Sequence, residues 1–454
     1  VVAAASAVGE RKLTVSDIRY IEYRMQNNST QVIRPARSLQ GAIRLPGDKS
    51  ISHRYAMLGA IAEGDTKIEN YSTGADCAST LNCVQGLGVA WERDGGNLVI
   101  HGKGARLRAP KAPLDCGNSG STIRMLSGIL AGQDFTTELF GDKSLSKRPM
   151  ARVITPLESM GAKISSKGGG RPPLWITGGK LKAIEYNMPV PSAQVKSCLL
   201  HAGLFADGVT KISESIRTRD HGEIALRAFG AEVKRDGTQV SIKGGQKLHA
   251  IEAVVPGDIS SSAFFLCAAA LFPGSQLTIT HLLMNPTRAR LFDVLIGMGL
   301  KINLTQVEEH HGERVGTARV EGKSLIGTTL AGADSAALID EIPVLAAIAP
   351  YTDQGIEIRD ARELRVKESD RIASVVTNLR AMGAEVEERE DGLKIRGKQK
   401  LRGAELESFH DHRIAMAFAI AALRAEGETT IRGADAAAIS YPAFYDMLDA
   451  IVER

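Results

Sequence analysis

Residues 153–162, Val-Ile-Thr-Pro-Leu-Glu-Ser-Met-Gly-Ala, decide the fold because the same phrase returns along the chain. Val153, Ile154, Leu157 and Met160 share one face of a helix. Gly161 stands where a left-handed residue ends such a helix, and a strand pattern follows. The phrase recurs as Leu87-Gly88-Val89, Phe229-Gly230-Ala231, Met298-Gly299-Leu300 and Met382-Gly383-Ala384, and Tyr441–Val452 supplies a sixth helix without its strand. The glycines lie roughly 70–85 residues apart, a period of supersecondary units and not of short solenoid repeats.

Each period also holds a helix that is apolar nearly all round: Ile51–Ala62, Thr122–Ala131, Val195–Ala206, Ser261–Leu271, Ile342–Ala349 and Ile414–Ala425. Helices of this kind belong inside a bundle or beneath sheets. The pattern predicts an α/β protein with a six-fold pseudo-repeat of strand, buried helix, strand, amphipathic helix and further strands. Splitting it into two globular domains of three units suits 454 residues, enough for two or three real cores.

Composition excludes several functions. With 56 basic against 52 acidic residues, a net charge of +4 and 5% aromatics, nucleic-acid binding is disfavoured as a main role. Cys77, Cys83, Cys116, Cys198 and Cys267 show no CxxC pairing, which fits reduced thiols in the cytoplasm and argues against a metal site. No apolar run approaches the roughly 18 residues that span a membrane. Residues 1–35 lack a signal-peptide pattern and a starting methionine, and Ser16–Met25 has charged, helix-like character. They read as an N-terminal extension or a linker from an upstream fused domain.

Charge collects at the helix starts. Gly47-Asp-Lys-Ser-Ile-Ser-His-Arg54 places a lysine, two hydroxyls and an arginine on a first turn, where free N–H groups and the dipole favour an anion. Asn118, Gly120, Ser121 and Arg124 repeat the device, as do Ser192 (an expected N-cap) with Gln194 and Lys196 beside it, and Phe409-His-Asp-His-Arg413. The amphipathic helices open on Lys147-Arg148, Arg217-Thr-Arg219, Asn285-Pro-Thr-Arg288 and Arg365-Val-Lys367-Glu-Ser-Asp-Arg371. One such arginine is most simply a surface ion pair. Their repetition at equivalent places predicts a cleft between the domains for small, highly charged anions, completed by closure. Asp340, in an otherwise apolar stretch, and Glu368 are the candidate proton acceptors, with an ion pair to Lys367 as the competing reading of Glu368.

These segments resemble the 5-enolpyruvylshikimate-3-phosphate synthases (3-phosphoshikimate 1-carboxyvinyltransferases). The likeness runs in order over about residues 35–454, through 45–54, 117–124, 147–150, 192–196, 219–223, 256–261, 285–288, 364–371 and 411–413. It implies two domains of three βαβαββ units, an inside-out α/β barrel arrangement, here 36–47 plus 258–454 and 48–257, with hinges near 46–48 and 256–258. The implied reaction moves the enolpyruvyl group of phosphoenolpyruvate to the 5-hydroxyl of shikimate-3-phosphate and releases phosphate through a tetrahedral intermediate. No metal or organic cofactor is implied. By matching position Lys49, Asp340 and Glu368 are catalytic. Lys49, Ser50, Arg54, Ser192, Ala193, Gln194, Arg219, Asp340 and Lys367 surround shikimate-3-phosphate; Lys49, Gly120, Ser121, Arg148, Gln194, Arg371 and Arg413 surround phosphoenolpyruvate. Asn118, Arg124 and His412 stand behind them. A cytoplasmic monomer, with glyphosate competing against phosphoenolpyruvate, completes the expectation.

Two departures qualify it. Ile439 stands where many members carry a lysine, so one anion contact is missing. The segments Ser192–Lys196, Arg219–Glu223 and Asn285–Arg288 look like the class II subgroup, often glyphosate-tolerant, yet Gly120 occupies a place where alanine would crowd that inhibitor. Partial tolerance at most is expected. The nearest alternative is the sister enzyme acting on UDP-N-acetylglucosamine, which uses a loop cysteine; Cys116 is better explained as a small buried residue at a strand end. A non-catalytic or nucleic-acid-related repeat protein is disfavoured by the intact Lys49, Asp340, Glu368 and Arg371.

Overall fold

The computed structural model describes residues 29–454, so the helix-like stretch at Ser16–Met25 lies outside the described residues. One repeat consists of Leu114–Asp115, the helix Gly120–Ala131, Thr136–Phe140, the helix Ala151–Met160 and the hairpin Lys163–Lys167 with Arg171–Thr177. Its first two strands run parallel and the last lies antiparallel to the second, giving the order first, second, fourth, third. The same order recurs in the sheets built on Val209–Ser213 and on Ile356–Ile358.

Two repeats borrow their first strand from a distant part of the chain. Glu252–Val254 lies parallel to Ala62–Glu69, and Ser38–Arg44 lies parallel to Gln276–Leu283. This exchange makes the chain cross twice between its two halves. The crossings run side by side: the Asp48 N–H donates to the Pro256 carbonyl at 2.8 Å and the Asp258 N–H to the Pro46 carbonyl at 3.0 Å. A Cβ on Gly47 would lie 1.8 Å from the Asn70 carbonyl oxygen, so only glycine lets the first crossing pass this close to the end of Ala62–Glu69.

The six apolar helices are Lys49–Ile61, Gly120–Ala131, Ala193–Gly203, Ile259–Ala270, Ile342–Ile348 and His412–Ala422. Most begin a turn's fraction earlier than their apolar runs, which puts the polar residues of the preceding segment on the first helical turn. Side-chain oxygens of Asp48, Ser119, Ser192, Asp258 and Asp411 cap five of them. In one half Ile342–Ile348, His412–Ala422 and Ile259–Ala270 pack together; in the other Gly120–Ala131 packs on Ala193–Gly203 and Lys49–Ile61. Each sheet lays one face on these helices: Leu174 and Ile176 are buried while Arg171, Trp175 and Thr177 between and beside them are exposed. Gly88, Gly161, Gly230, Gly299 and Gly383 all have positive φ, as the repeated helix stop requires. No helix among the described residues is long and apolar enough to cross a membrane.

The sixth unit corrects the sequence reading. Its antiparallel strand is present, supplied by Thr30–Ile33 pairing with Thr429–Arg432. The folded region therefore starts before residue 36, inside the segment read as an extension. Pairing between opposite ends of a chain leaves no local trace, and four residues are too few to show a period. Because Ile33 is buried at the far side of this ladder, Ile33→Ala should cost about 2–3 kcal/mol of unfolding free energy, measured by urea titration. Unchanged stability would mean that Thr30–Ile33 is only a tether.

Candidate active site

The two halves meet through their helix starts. Arg219 reaches Asp340 at 2.8 Å, Arg148 reaches Glu368 at 3.3 Å and Arg152 reaches Glu363 at 3.1 Å. Ser144 Oγ donates to the Glu368 carbonyl at 3.1 Å. Each of these contacts joins residues 48–257 to residues 258–454, and three of the four place an arginine of the first half against a carboxylate of the second.

Asp340 is the hub. Besides Arg219 it faces Lys367 Nζ at 3.6 Å and Arg371 Nη1 at 3.5 Å, while Arg413 donates to its backbone carbonyl at 2.6 Å. Burial pushes its pKa up, but Lys367, Arg219, Arg413 and Arg371 outweigh burial and hold the carboxyl well below the usual range. Glu368 is treated alike: burial is overcome by Arg371, at 2.5 Å, and Arg148, so it too stays ionised. Arg371, 1% exposed, also donates through Nε to Asp411 at 2.8 Å. Asp411 caps the helix that carries Arg413, so one guanidinium ties two helix starts together.

Lys49 opens its helix with Nζ 2.8 Å from Asp76. Burial alone would lower its pKa; the Asp76 charge and hydrogen bond outweigh that and raise it, keeping the ammonium protonated. His412 goes the other way: burial, then Lys49 and Arg413, push it well below an ordinary imidazole. Neither of its ring nitrogens has a partner among the described residues. Lys367 is lowered by burial, only partly offset by Asp340.

A second group gathers on the helix Gly120–Ala131. Arg148 donates to Asn118 Oδ1 at 2.7 Å, Arg124 to Gln194 Oε1 at 2.7 Å, and Gln194 Nε2 to Ser121 Oγ at 2.9 Å. A Cβ on Gly120 would stand 2.9 Å from Arg124 Nη1 and 3.2 Å from Arg148 Nη1. Burial, then the charges of Arg152 and Arg148, push Arg124 down to about 10. Among the described residues, Nε of Arg124 and of Arg148 and Nη1 of Arg371 are buried and make no hydrogen bond, although Nη1 of Arg371 faces the Asp340 charge. Crowded cations with spare donors form a receptor for anions.

The remaining candidates divide. Ser192 caps its helix as expected and Ala193 begins it. Ser50 lies half-buried on the first turn, whereas Arg54 is turned inward, donating to the Ser50 carbonyl and to Ser197 Oγ, both at 2.8 Å. Lys196, expected beside Gln194, leaves the group: it lies a turn deeper, fully buried between Glu214 at 3.0 Å and Glu223 at 2.9 Å. Asp76, Ser144 and Asp411 belong to the site without having been singled out. Only Asp411 had a signal, its place directly before the His412-Arg413 helix start. Ile439 is buried, its carbonyl packed against Gly74, beside the helix start that carries Asp76. All five cysteines are buried, and burial pushes the Cys116 thiol well above its ordinary value, which makes it a poor nucleophile. One open cavity lies elsewhere, lined by Leu204, Phe205 and Gln246, and includes none of these residues.

A family model described as EPSP synthase (3-phosphoshikimate 1-carboxyvinyltransferase) matches residues 33–448. The chain belongs to the EPSP synthase family. It is 61% identical to the 3-phosphoshikimate 1-carboxyvinyltransferase of Koribacter versatilis over 423 residues, covering 93% of this chain and 99% of that protein. The enzyme of that name from Solibacter usitatus is 57% identical over 422 residues, with 93% and 99% covered. Among solved structures, an EPSP synthase from Acinetobacter baumannii superposes with a TM-score of 0.83 at 41% identity, covering 94% of this chain and 98% of that one. The α/β fold expected from the repeats is thus the EPSP synthase fold.

In this EPSP synthase family member the depressed Asp340 carboxyl has a stability consequence. A group whose folded pKa lies below its unfolded value of about 3.9 stabilises above that value and loses the contribution as pH falls towards the folded pKa. Asp340→Asn should therefore be less stable than the parent at pH 7, and the gap should close below about pH 4 in denaturant titrations. A gap independent of pH would contradict the ion-pair hub.

Proposed function

We propose that this chain transfers the enolpyruvyl group of phosphoenolpyruvate to the 5-hydroxyl of shikimate-3-phosphate, releasing phosphate. The observation that carries the reading is the convergence of helix-start cations from both halves on Asp340 and Glu368. Two polyanionic substrates meet the surplus charge: Lys49, Arg148, Arg371 and Arg413, with Gly120, Ser121 and Gln194, receive phosphoenolpyruvate, while Ser50, Ser192, Ala193, Gln194, Arg219 and Lys367 receive shikimate-3-phosphate. Arg54 supports Ser50 from below through its carbonyl. Asn118, Arg124 and His412 back these groups.

The 5-hydroxyl oxygen adds to the enol carbon of phosphoenolpyruvate as its proton passes to Asp340, and the methylene takes a proton from Lys49, whose ammonium is kept protonated. The product of this step is a tetrahedral intermediate with a new methyl group. Transfer of a methyl proton to the ionised Glu368 carboxylate then re-forms the double bond as the C–O bond to phosphate breaks and phosphate leaves. Asp340 is a weak base while four cations hold it down. Bound phosphate and carboxylate groups neutralise those cations and restore its proton affinity when the hydroxyl arrives. Lys49, kept protonated by Asp76, is placed to donate. The crossings at Pro46–Asp48 and Pro256–Asp258 serve as hinges between 36–47 plus 258–454, extended by Thr30–Ile33, and 48–257. Closure of a cytoplasmic monomer about them excludes water.

A coupled assay for phosphate release with both substrates tests the reading directly. The parent protein should release phosphate only when shikimate-3-phosphate is present, and not with UDP-N-acetylglucosamine; Cys116→Ala should retain turnover. Lys49→Met should lose about 10³-fold in kcat with its circular dichroism unchanged. No phosphate release by the parent would overturn the assignment, and normal turnover by the variant would remove Lys49 from the chemistry.

Glyphosate, as a competitor of phosphoenolpyruvate, tests the same pocket at Gly120. Gly120→Ala should raise the inhibition constant by more than it raises the KM for phosphoenolpyruvate, because the added methyl intrudes between the Arg124 and Arg148 guanidinium groups. Equal rises would place the inhibitor away from Gly120.

A further inference from the structure

Three buried residues take no part in the chemistry above: His221 and Asn285, each inside a segment singled out in the sequence, and Glu313, which had no signal at all. They form one buried network across the two halves. Asn285 Nδ2 donates to Asp220 Oδ1 at 2.9 Å and to Glu313 Oε2 at 2.8 Å. Its Oδ1 accepts from Thr287 N at 2.8 Å and from Thr287 Oγ1 at 2.7 Å. Glu313 Oε1 pairs with His221 Nδ1 at 2.6 Å. Asp220 and His221 belong to residues 48–257; Asn285, Thr287 and Glu313 belong to the opposite half.

The network brackets Arg219, the residue that reaches Asp340 at 2.8 Å. On the side before it, Glu214 Oε2 accepts from Thr218 N at 3.1 Å and Thr218 Oγ1 at 2.6 Å, and Glu214 is itself held by buried Lys196. Those contacts lie within the arginine's own half. On the side after it, Asp220 and His221 are fastened to the other half, the half that carries Asp340. The backbone of Arg219 is therefore referenced to both bodies it must align. Asn285 lies close to the crossing, two residues after Leu283, whose N–H donates to the Gly257 carbonyl at 3.0 Å.

We propose that Asn285 and Glu313 are positioning residues that set Arg219 against Asp340 and thereby shape the shikimate-3-phosphate side of the cleft. They touch neither substrate in the proposed arrangement. A buried amide that satisfies two carboxylates and is itself satisfied by Thr287 leaves no slack for the 219–221 segment to shift. This inference rests on the proposed reaction for the identity of the ligand, and the experiment separates the two.

Calorimetric titration with shikimate-3-phosphate needs no turnover. Asn285→Ala should weaken binding about tenfold while the KM for phosphoenolpyruvate stays within about twofold, because Arg219 serves one substrate only. In an Arg219→Ala background the same substitution should weaken binding by no more than about twofold further, since the residue through which it acts is gone. Glu313→Gln, which keeps its volume, should reproduce the pattern if Asn285→Ala does not fold. Unchanged binding, equal losses for both substrates, or full additivity with Arg219→Ala would each overturn the proposal. Failure of the parent protein to bind shikimate-3-phosphate at all would instead strike the assigned reaction.

Discussion

Positive charge held out of water is the constraint on which the structure depends. Lys49, Arg371 and Arg413 stand on first helical turns, and Arg148, Arg219 and Lys367 in the segments leading into helices, in a region where each unpaired charge costs several kcal/mol. Such an arrangement persists only if carboxylates are threaded through it. Asp76, Asp340, Glu368 and Asp411 supply them. Asp340 and Glu368 do so between the halves, so the interface is glued by the same ions that the proposed reaction assigns to its substrates. The spare guanidinium donors and the neutral His412 are what remains when protein carboxylates have done as much as they can.

The fold brings these groups together through its strand exchange. Ser38–Arg44 and Glu252–Val254 each complete a sheet in the half opposite to the helix that follows them, so the chain must cross where Asp48 and Asp258 cap two of the buried helices. The crossing is itself charge-coupled. Burial, then the negative Asp48, pushes Asp258 up to about 6; burial pushes Asp48 up as well, but neighbouring cations led by Arg288 outweigh it and hold Asp48 below its ordinary value. The residue after Asp48 is Lys49. The proposed hinge and the proposed proton donor are thus neighbours in the chain.

Much of this was legible in the sequence because its causes are local. Helical periodicity ended by glycine at Gly88, Gly161, Gly230, Gly299 and Gly383 revealed the repeat, and capping residues followed by cations revealed the helix-start sites. The resemblance then assigned substrates to positions already suspected of binding anions. What escaped was non-local. Thr30–Ile33 joins the last sheet from the other end of the chain, and Asp76 meets Lys49 only because two helices pack. Lys196 looked like a cleft residue by its neighbours in sequence, but two residues beyond Gln194 carry it about 200° round the helix, to the face where Glu214 and Glu223 lie. Periodicity shows which face is apolar; it does not show which buried cation has found a carboxylate.

The central claim is that cations from both halves form one anion receptor around Asp340. A crystal structure with shikimate-3-phosphate and inorganic phosphate bound tests it most directly. The account predicts both anions between the halves, one beside Arg219 and Lys367 and the other within hydrogen-bonding distance of Arg148 and Arg371. Anions found instead in the open cavity beside Phe205 and Gln246, with the Asp340 cluster empty, would contradict it.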